Sequence, residues 1–195
     1  MPESPLPGPF DVAVVGAGIC GLAHALAAAK LGKRVVVVDR DAHANGASIR
    51  NFGFITITGQ QAGECWRRAM RSRDIWLEIA DAAGIAVLQR GLLAIARRPE
   101  AKAVLEEFMA TAMGAECRLL QPAEIDAHGA GLRSADFAAA LYSPHEIRVE
   151  SREAIPKLAA FLAERYAVTF LRETVVHSAT AERLETSRGL GPENT

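Results

Sequence analysis

Three glycines near the start of the chain, Gly16, Gly18 and Gly21, have the spacing of a turn that binds a dinucleotide. The first glycine of such a turn permits the tight bend, the second lets a pyrophosphate approach the backbone, and the third allows close helix packing. The helix that follows would point unpaired N–H groups at the phosphates. Asp39 lies at close to the expected spacing of about 20 residues, where a carboxylate can accept hydrogen bonds from ribose hydroxyls and disfavours the 2′-phosphate of NADP.

The segments on either side make this glycine pattern specific, because glycines alone are common. Residues 12–15 are apolar without alternation, which predicts a parallel strand buried on both faces. Residues 34–39 predict a second strand, and the small apolar residues between the two predict a helix. Residues 12–29 carry no charged side chain, yet the glycines and the second strand favour a Rossmann core over a membrane span. We therefore expect no integral membrane segment.

The rest of the chain predicts an alternation of helices and strands around a long irregular segment, residues 40–59, of a length that is usually functional. Predicted helices cover 60–83, 99–113, a short stretch from Pro122, and 151–165 with Ser151 as its N-cap. Predicted strands cover 85–97 (two short strands around Gly91), 141–149, 168–171 and 174–177, and residues 190–195 show no strand or helix pattern. Residues 1–84 and 147–195 are therefore expected to form a dinucleotide-binding domain, with 85–146 as an inserted part that contacts substrate.

Composition excludes several classes of partner. The chain has 195 residues, half of them hydrophobic, and can bury a substantial core. Its formal net charge of −1 gives no reason to expect nucleic acid or an anionic membrane. Three scattered cysteines, Cys20, Cys65 and Cys117, predict neither a disulfide framework nor a metal site, and they favour a cytoplasmic location.

Five features together resemble the D-amino-acid oxidase-like (DAO) family of FAD-dependent oxidoreductases, which includes glycine oxidase and sarcosine oxidase. They are the glycine turn, the Asp39-Arg40 pair, the segment 46–53 and the stretches 140–158 and 168–176. The resemblance implies an α/β fold, with a Rossmann-like FAD-binding domain, an inserted α+β portion of the substrate domain, and the C-terminal half missing. It also implies FAD-binding roles for nine residues: Gly16, Gly18 and Gly21 at the pyrophosphate; Asp39, with Arg40 beside it, at the adenosine ribose; Ser48, Arg50 and Asn51 along the pyrophosphate and the flavin side; and Val176 near the adenine.

The activity implied by the family is oxidation of a C–N bond by hydride transfer to the flavin. The substrate would be a small amine or amino acid: a D-amino acid, glycine, an N-methylated amine or an aminophosphonate. Arg50 and Arg148 could pair with an acidic substrate. No protein general base is obligatory for this chemistry, so the sequence nominates no catalytic residue, and His43, His145 and His177 are expected to be surface or core residues.

The chain is much shorter than members of that family, which leaves two alternatives open. It could be a catalytically inert, poorly soluble fragment, or a half that is completed by another chain; a homo-oligomer is the other assembly considered. An NAD-dependent dehydrogenase is the alternative enzyme class, and the long segment after Asp39 argues against it, because the NAD fold usually enters its next helix quickly. Flavin absorbance would separate the two enzymes.

Overall fold

The computed structural model describes residues 9–127 and 136–193 and shows a mixed α/β fold. In this part of the chain, no helix is long and apolar enough to cross a membrane. The helices are α1 (Ile19–Lys30), α2 (Glu64–Ala80), α3 (Pro99–Met109), α4 (Pro122–Ala127) and α5 (Ser151–Tyr166), with short 3-10 helices at Ala47–Ile49 and Ala112–Gly114. The strands are β1 (Val12–Val15), β2 (Val35–Val38), β3 (Phe54–Ile55), β4 (Val87–Ala96), β5 (Arg118–Leu120), β6 (Ala139–Val149), β7 (Thr169–Leu171), β8 (Val176–Ala179), β9 (Arg183–Thr186) and β10 (Gly189–Glu193).

These elements form two compact units. The first contains the described residues up to Phe52, Asp81–Ile85 and those from Glu150 onward, and the second contains Gly53–Ala80 and the described residues of Ala86–Val149. Residues 53–80 group with the second unit because β3 pairs with β6 and α2 packs on the same strands. The domain boundaries expected from the sequence placed this segment with the first unit, so the two divisions differ there.

A parallel sheet in the order β1-β2-β7 forms the centre of the first unit. All four valines of β2 are buried, because this strand has a neighbour on each side and α1 packs against it. Val36 and Val38 form a buried cluster with Phe10 and with Leu184 of β9. Helix α1 contributes buried Leu22 and Leu26, and α5, which packs against it, contributes buried Leu158 and Leu162. The predicted strand–helix–strand core with a parallel sheet is confirmed.

Strand β1 departs from the prediction that both of its faces are buried. Its residues are half-buried or exposed, and Val15 is 58% exposed. The reason is topological, because β1 pairs with β2 alone among the described strands and so lies at the edge of the sheet. An apolar run identifies a strand, but it does not say how many neighbours the strand has.

The C-terminal part of the first unit is an antiparallel sheet in the order β10-β9-β8. The sequence predicts no strand over residues 190–195, and this prediction is wrong, since Gly189–Glu193 pairs with β9. Strand β8 begins at Val176, two residues later than predicted. Thr174 is instead buried in the turn before β8, where its backbone N–H donates to the Asp39 carbonyl at 2.9 Å.

The second unit is built on an antiparallel sheet with β6 between β3 and β4, and β5 also pairs with β6. Strand β4 is one ten-residue strand rather than two short ones around Gly91. The pairing register shifts between Arg90 and Leu92, and Gly91 has a φ of +78° at this bulge. A Cβ at Gly91 would lie 2.9 Å from Cε2 of Tyr142, so the glycine marks a bulge and a close approach rather than a strand end.

Two helices of the second unit are shorter than the sequence predicts. Helix α2 is shorter at both ends, and α3 is shorter at its C-terminus. Helix α2 begins at Glu64, directly after Gly63 with a φ of +84°, rather than at residue 60. Helix α3 ends at Met109 and gives way to the 3-10 helix Ala112–Gly114. Helix α4 begins at Pro122, as predicted.

Candidate functional site

The turn between β1 and α1 requires glycine at two positions for different reasons. Gly16 has a φ of +99°, a conformation that other residues adopt only under strain, and its N–H donates to the Val38 carbonyl at 2.7 Å. A Cβ on Gly21 would lie 1.9 Å from the Gly16 carbonyl oxygen, so the helix can start this close to the turn only without a side chain there. Gly18 precedes the helix in an extended conformation. The N-terminus of α1 therefore faces the carboxyl end of the sheet.

Ser48 lies directly against this helix start. Its Oγ accepts a hydrogen bond from the Ile19 N–H at 2.9 Å, and a Cβ on Gly18 would lie 3.0 Å from the same oxygen. The serine is part of the 3-10 helix Ala47–Ile49, in the segment that the sequence predicts as a long functional loop. One of the unpaired N–H groups of the helix N-terminus is thus satisfied by a side chain from a distant segment.

Asn51 is a structural support of this 3-10 helix. Its side-chain amide donates to the carbonyl oxygens of Ala47 and Ser48 at 2.9 and 3.0 Å. The Ser151 hydroxyl donates to the Asn51 carbonyl at 2.9 Å.

The N-cap of α5 is not Ser151, as predicted, but Glu150, whose carboxylate accepts from the Arg152 N–H. Ser151 is the first residue of the helix, and its hydroxyl is directed to the 3-10 segment instead.

Asp39 follows β2 and connects three segments. Its Oδ2 accepts from the Ala17 N–H at 2.6 Å, and its Oδ1 accepts from the Asp41 N–H at 2.9 Å. Its backbone N–H donates to the Leu171 carbonyl at 2.9 Å. The carboxylate thus lies at the glycine turn, where a ligand bound to the helix N-terminus would come.

These segments enclose an open cleft of about 420 Å³ at the carboxyl ends of β1 and β2. This is the position at which parallel α/β sheets bind ligands. The lining combines backbone of the glycine turn, two acidic side chains, one arginine and small polar groups. The residues lining the cleft are Val15, Gly16, Gly18, Val38, Asp39, Arg40, Asp41, Ala44, Asn45, Gly46, Ser48, Thr174, Val175 and Val176.

Six of the nine residues expected at the site are brought together here: Gly16, Gly18, Asp39, Arg40, Ser48 and Val176. Gly21 lies behind the turn and acts through packing. Among the residues that the structure describes, Arg50 and Asn51 are exposed and do not line the cleft. Arg148 lies in the second unit, with its guanidinium 5.9 Å from the ring centroid of Phe54 on the neighbouring strand.

Sequence reasoning missed eight lining residues: Val15, Val38, Asp41, Ala44, Asn45, Gly46, Thr174 and Val175. Four of them, from Asp41 to Gly46, belong to the loop that follows Asp39, and its length was the available signal. Thr174 and Val175 were assigned to a strand, and no local pattern places that turn beside the end of β2. The contact is long-range in sequence and comes from the parallel pairing of β2 with β7.

Glu146 is a buried ionisable group of the second unit. Its Oε1 accepts from the backbone N–H groups of Ile57 and Thr58 at 3.2 and 2.5 Å. Burial acts to raise the pKa of this carboxyl, but the Ser143 hydroxyl together with Thr58 outweighs it, so the pKa lies below its usual value. His145 is also buried, and its Nδ1 lies 3.0 Å from an Arg73 guanidinium nitrogen, so it is a core residue, one of the two positions expected for it. The described residues contain no group of three or more His, Cys, Asp or Glu side chains that could hold a metal ion.

Comparison with known proteins was made by sequence and by fold. Residues 11–193 match the model of the DAO family, described as FAD dependent oxidoreductase. No match to a curated protein was found by sequence comparison. Similar solved structures include L-proline dehydrogenase from P. horikoshii, with 23% identity, a TM-score of 0.79, and coverage of 96% of this chain and 51% of that one. Glycine oxidase from Geobacillus kaustophilus gives 23% identity, a TM-score of 0.79, and coverage of 96% and 54%.

L-amino acid deaminase from Proteus myxofaciens, with anthranilate, is similar at 19% identity and a TM-score of 0.82, with coverage of 96% of this chain and 44% of that one. At these identities the likeness shows the fold. The chain spans about half the length of the solved structures that it matches.

Proposed function

The chain belongs to the DAO family of FAD-dependent oxidoreductases, and we propose that the cleft of its first unit binds the adenosine diphosphate part of FAD. The observation that carries the proposal is the glycine turn at the start of α1, open toward the cleft and followed by an acid after β2. A helix N-terminus with a glycine-rich approach favours a pyrophosphate.

The residues present fit this part of the cofactor. A Cβ on Gly18 would meet the Ser48 hydroxyl at 3.0 Å, so the missing side chain lets Ser48 lie directly against the turn. Asp39 uses one hydrogen bond on each carboxylate oxygen, and each oxygen retains a further lone pair for ribose hydroxyls. The volume of about 420 Å³ lies in the range of small-molecule sites, which is roughly 300–1,000 Å³.

The residues expected at the site have distinct roles in this proposal. The backbone of Gly16 and Gly18 would face the pyrophosphate, and Asp39 would bind the adenosine ribose. Arg40 lies at the exposed rim, 3.4 Å from Asp41, where its charge can offset that of the acids. Val176 is proposed to contact the adenine through its backbone. Arg50 remains a proposed contact on the pyrophosphate and flavin side, although it does not line the cleft.

We further propose that the enzyme oxidises the C–N bond of a small amine or amino acid. FAD, when bound, supplies the hydride acceptor, and the protein orients the amine and excludes water. Membership of the family supports this chemistry, and three similar structures are named as enzymes of amino acids: a proline dehydrogenase, an amino acid deaminase and a glycine oxidase. D-amino acids, glycine, N-methylated amines and aminophosphonates are the substrate classes to be compared.

The first experiment is an absorbance spectrum of the purified chain, with and without added FAD, after gel filtration. Flavin bands that elute with the protein support the cleft assignment, and anaerobic bleaching by one of the amine classes supports the proposed reaction. Binding of NADH in place of FAD would contradict the proposal in favour of a nicotinamide enzyme. Light scattering on the same column separates a monomer from the proposed homo-oligomer or an assembly with a completing chain.

A further inference from the structure

The Asp39 carboxylate makes hydrogen bonds within the protein that a residue acting only as a ribose ligand would not need. Both carboxylate oxygens are held by backbone N–H groups, one from Ala17 in the glycine turn and one from Asp41 in the following loop. The Ala17 bond, at 2.6 Å, joins residues 22 positions apart in the sequence. A short N–H to carboxylate distance is typical of a charge-assisted hydrogen bond. The side chain therefore connects the turn to the loop before any ligand is considered.

The backbone of Asp39 is itself fixed. Its N–H donates to the Leu171 carbonyl and its carbonyl accepts from the Thr174 N–H, both at 2.9 Å. The side chain thus projects from an anchored position between β2 and β7. The aspartate has only two side-chain torsions, so little freedom remains to be lost when its carboxylate binds the turn.

The turn is correspondingly held by the end of β2. The Gly16 N–H donates to the Val38 carbonyl at 2.7 Å, and the next N–H, that of Ala17, donates to Asp39. Two successive backbone N–H groups of the turn thus donate to two consecutive residues at the end of β2, Val38 and Asp39. Gly16 is freed by its missing side chain to adopt many conformations, and these two bonds select the one with a φ of +99°.

We propose that Asp39 is a positioning residue, which holds the glycine turn and the loop 40–46 in the binding conformation before the cofactor arrives. This role is compatible with ribose binding, because each oxygen keeps a second lone pair. It needs no cofactor, and so it can hold or fail independently of the function proposed above. A carboxylate that served the ribose alone would have no effect on the turn of the FAD-free chain.

The test is Asp39→Asn in the full chain, with hydrogen exchange at the Ala17 and Asp41 amides measured in the absence of FAD. Asn keeps the size but loses the charge and one acceptor oxygen. We expect exchange at Ala17 to become about tenfold faster or more, the factor that corresponds to losing a hydrogen bond to a charged group. FAD affinity, measured separately by fluorescence titration, should fall by a similar factor.

Asp11→Asn is the matched control. Asp11 also accepts a backbone N–H, that of Arg34, at 2.6 Å, and it does not line the cleft. This variant should speed exchange at Arg34 and leave exchange at Ala17 and FAD affinity within about twofold of wild type. Should Asp39→Asn lack the wild-type circular dichroism spectrum, Asp39→Glu gives the same test, because its carboxyl is one methylene further from the backbone.

The outcomes separate the two roles. Faster exchange at Ala17 supports positioning, whether or not FAD binds. Weaker FAD binding with Ala17 exchange within about twofold of wild type would overturn positioning and leave the ribose role alone. If the wild-type chain binds no FAD, the proposed function fails, and the exchange measurement still decides the role of Asp39.

Discussion

Replacing Gly21 by alanine sets two opposing effects against each other. Gly21 lies in α1, where alanine is the better helix former by about 1 kcal/mol. The new Cβ, however, would lie 1.9 Å from the Gly16 carbonyl oxygen, 3.0 Å from its carbonyl carbon and 3.2 Å from Cγ1 of Val14. The first distance is about 1.5 Å shorter than an ordinary contact, and the atom it meets is backbone rather than a flexible side-chain end.

The steric effect should win. Overpacking costs about 1–3 kcal/mol, and more where the neighbours cannot move. Here the neighbour is the Gly16 peptide, held by its own hydrogen bond to Val38. We expect Gly21→Ala to lower the free energy of unfolding by about 2 kcal/mol after the gain in helix propensity is subtracted. Since the helix start must move away from the turn, FAD binding should also weaken about tenfold or more.

Urea unfolding followed by circular dichroism measures the first effect, and FAD fluorescence titration measures the second. Gly46→Ala is the control for stability, because Gly46 has a φ of −91° and no atom within 4 Å of the added Cβ. That change should be neutral or stabilising by about 0.5–1 kcal/mol. A Gly21→Ala chain that is as stable as wild type and binds FAD equally well would refute the close approach between α1 and the turn.

Three further predictions concern single contacts. Glu146→Gln should lower stability at pH 7 by about 1–3 kcal/mol. Because the folded pKa of Glu146 is lowered, its stabilisation is present above the unfolded pKa and is lost as the pH falls through the folded pKa. The free energy of unfolding of the variant should therefore decrease less with falling pH than that of the wild type. Equal slopes of this free energy against pH would contradict the reasoning. Gly91→Ala should cost about 1–3 kcal/mol in thermal or urea unfolding through its contact with Tyr142, whereas Gly91→Ala with Tyr142→Ala should recover part of that loss. Ser48→Ala should weaken FAD binding by about 1 kcal/mol through loss of the Ile19 bond, and an unchanged dissociation constant would argue against it.

The core of the first unit could be predicted from the sequence because its signals are local. The four valines of β2 predict a strand, and the spacing of the three glycines predicts a tight turn that leads into a helix. The edge position of β1 could not be predicted in the same way. Exposure of Val15 depends on which strands lie beside it, and a strand's own residues do not encode that number.

Two errors in element boundaries have a common physical origin. Glycine usually ends or interrupts a strand, and Gly91 was interpreted in that sense. In the structure the ladder continues across it, because β6 provides pairing partners on both sides of the bulge. Strand β10, within a segment rich in glycine and proline, likewise exists through its pairing with β9 rather than through its own propensity. In both cases tertiary pairing outweighs local preference.

Asn51 supports the segment around the site through its hydrogen bonds. Ser48, Arg50 and Asn51 were expected to lie along the pyrophosphate and flavin side of the cofactor. In the structure, the Asn51 amide donates to the carbonyls of Ala47 and Ser48. Ser151, a hundred residues later, donates to the Asn51 carbonyl, and Ser48 in turn accepts from the first N–H of α1. A continuous path of hydrogen bonds therefore runs from the start of α5 to the start of α1.

This path gives a physical reason why the stretch that enters α5 and the glycine turn are both among the features that carry the family resemblance. Ser151 does not line the cleft, yet it supports the segment that presents Ser48 to the helix N-terminus. Ser151→Ala should therefore weaken FAD binding by less than Ser48→Ala does, roughly 0.5 kcal/mol against about 1 kcal/mol, because it acts through Asn51. In Ser48→Ala the Ile19 bond is already lost, so adding Ser151→Ala should cost little more. Full additivity in FAD titrations of the double variant would mean that the two serines act independently and that the path does not connect them.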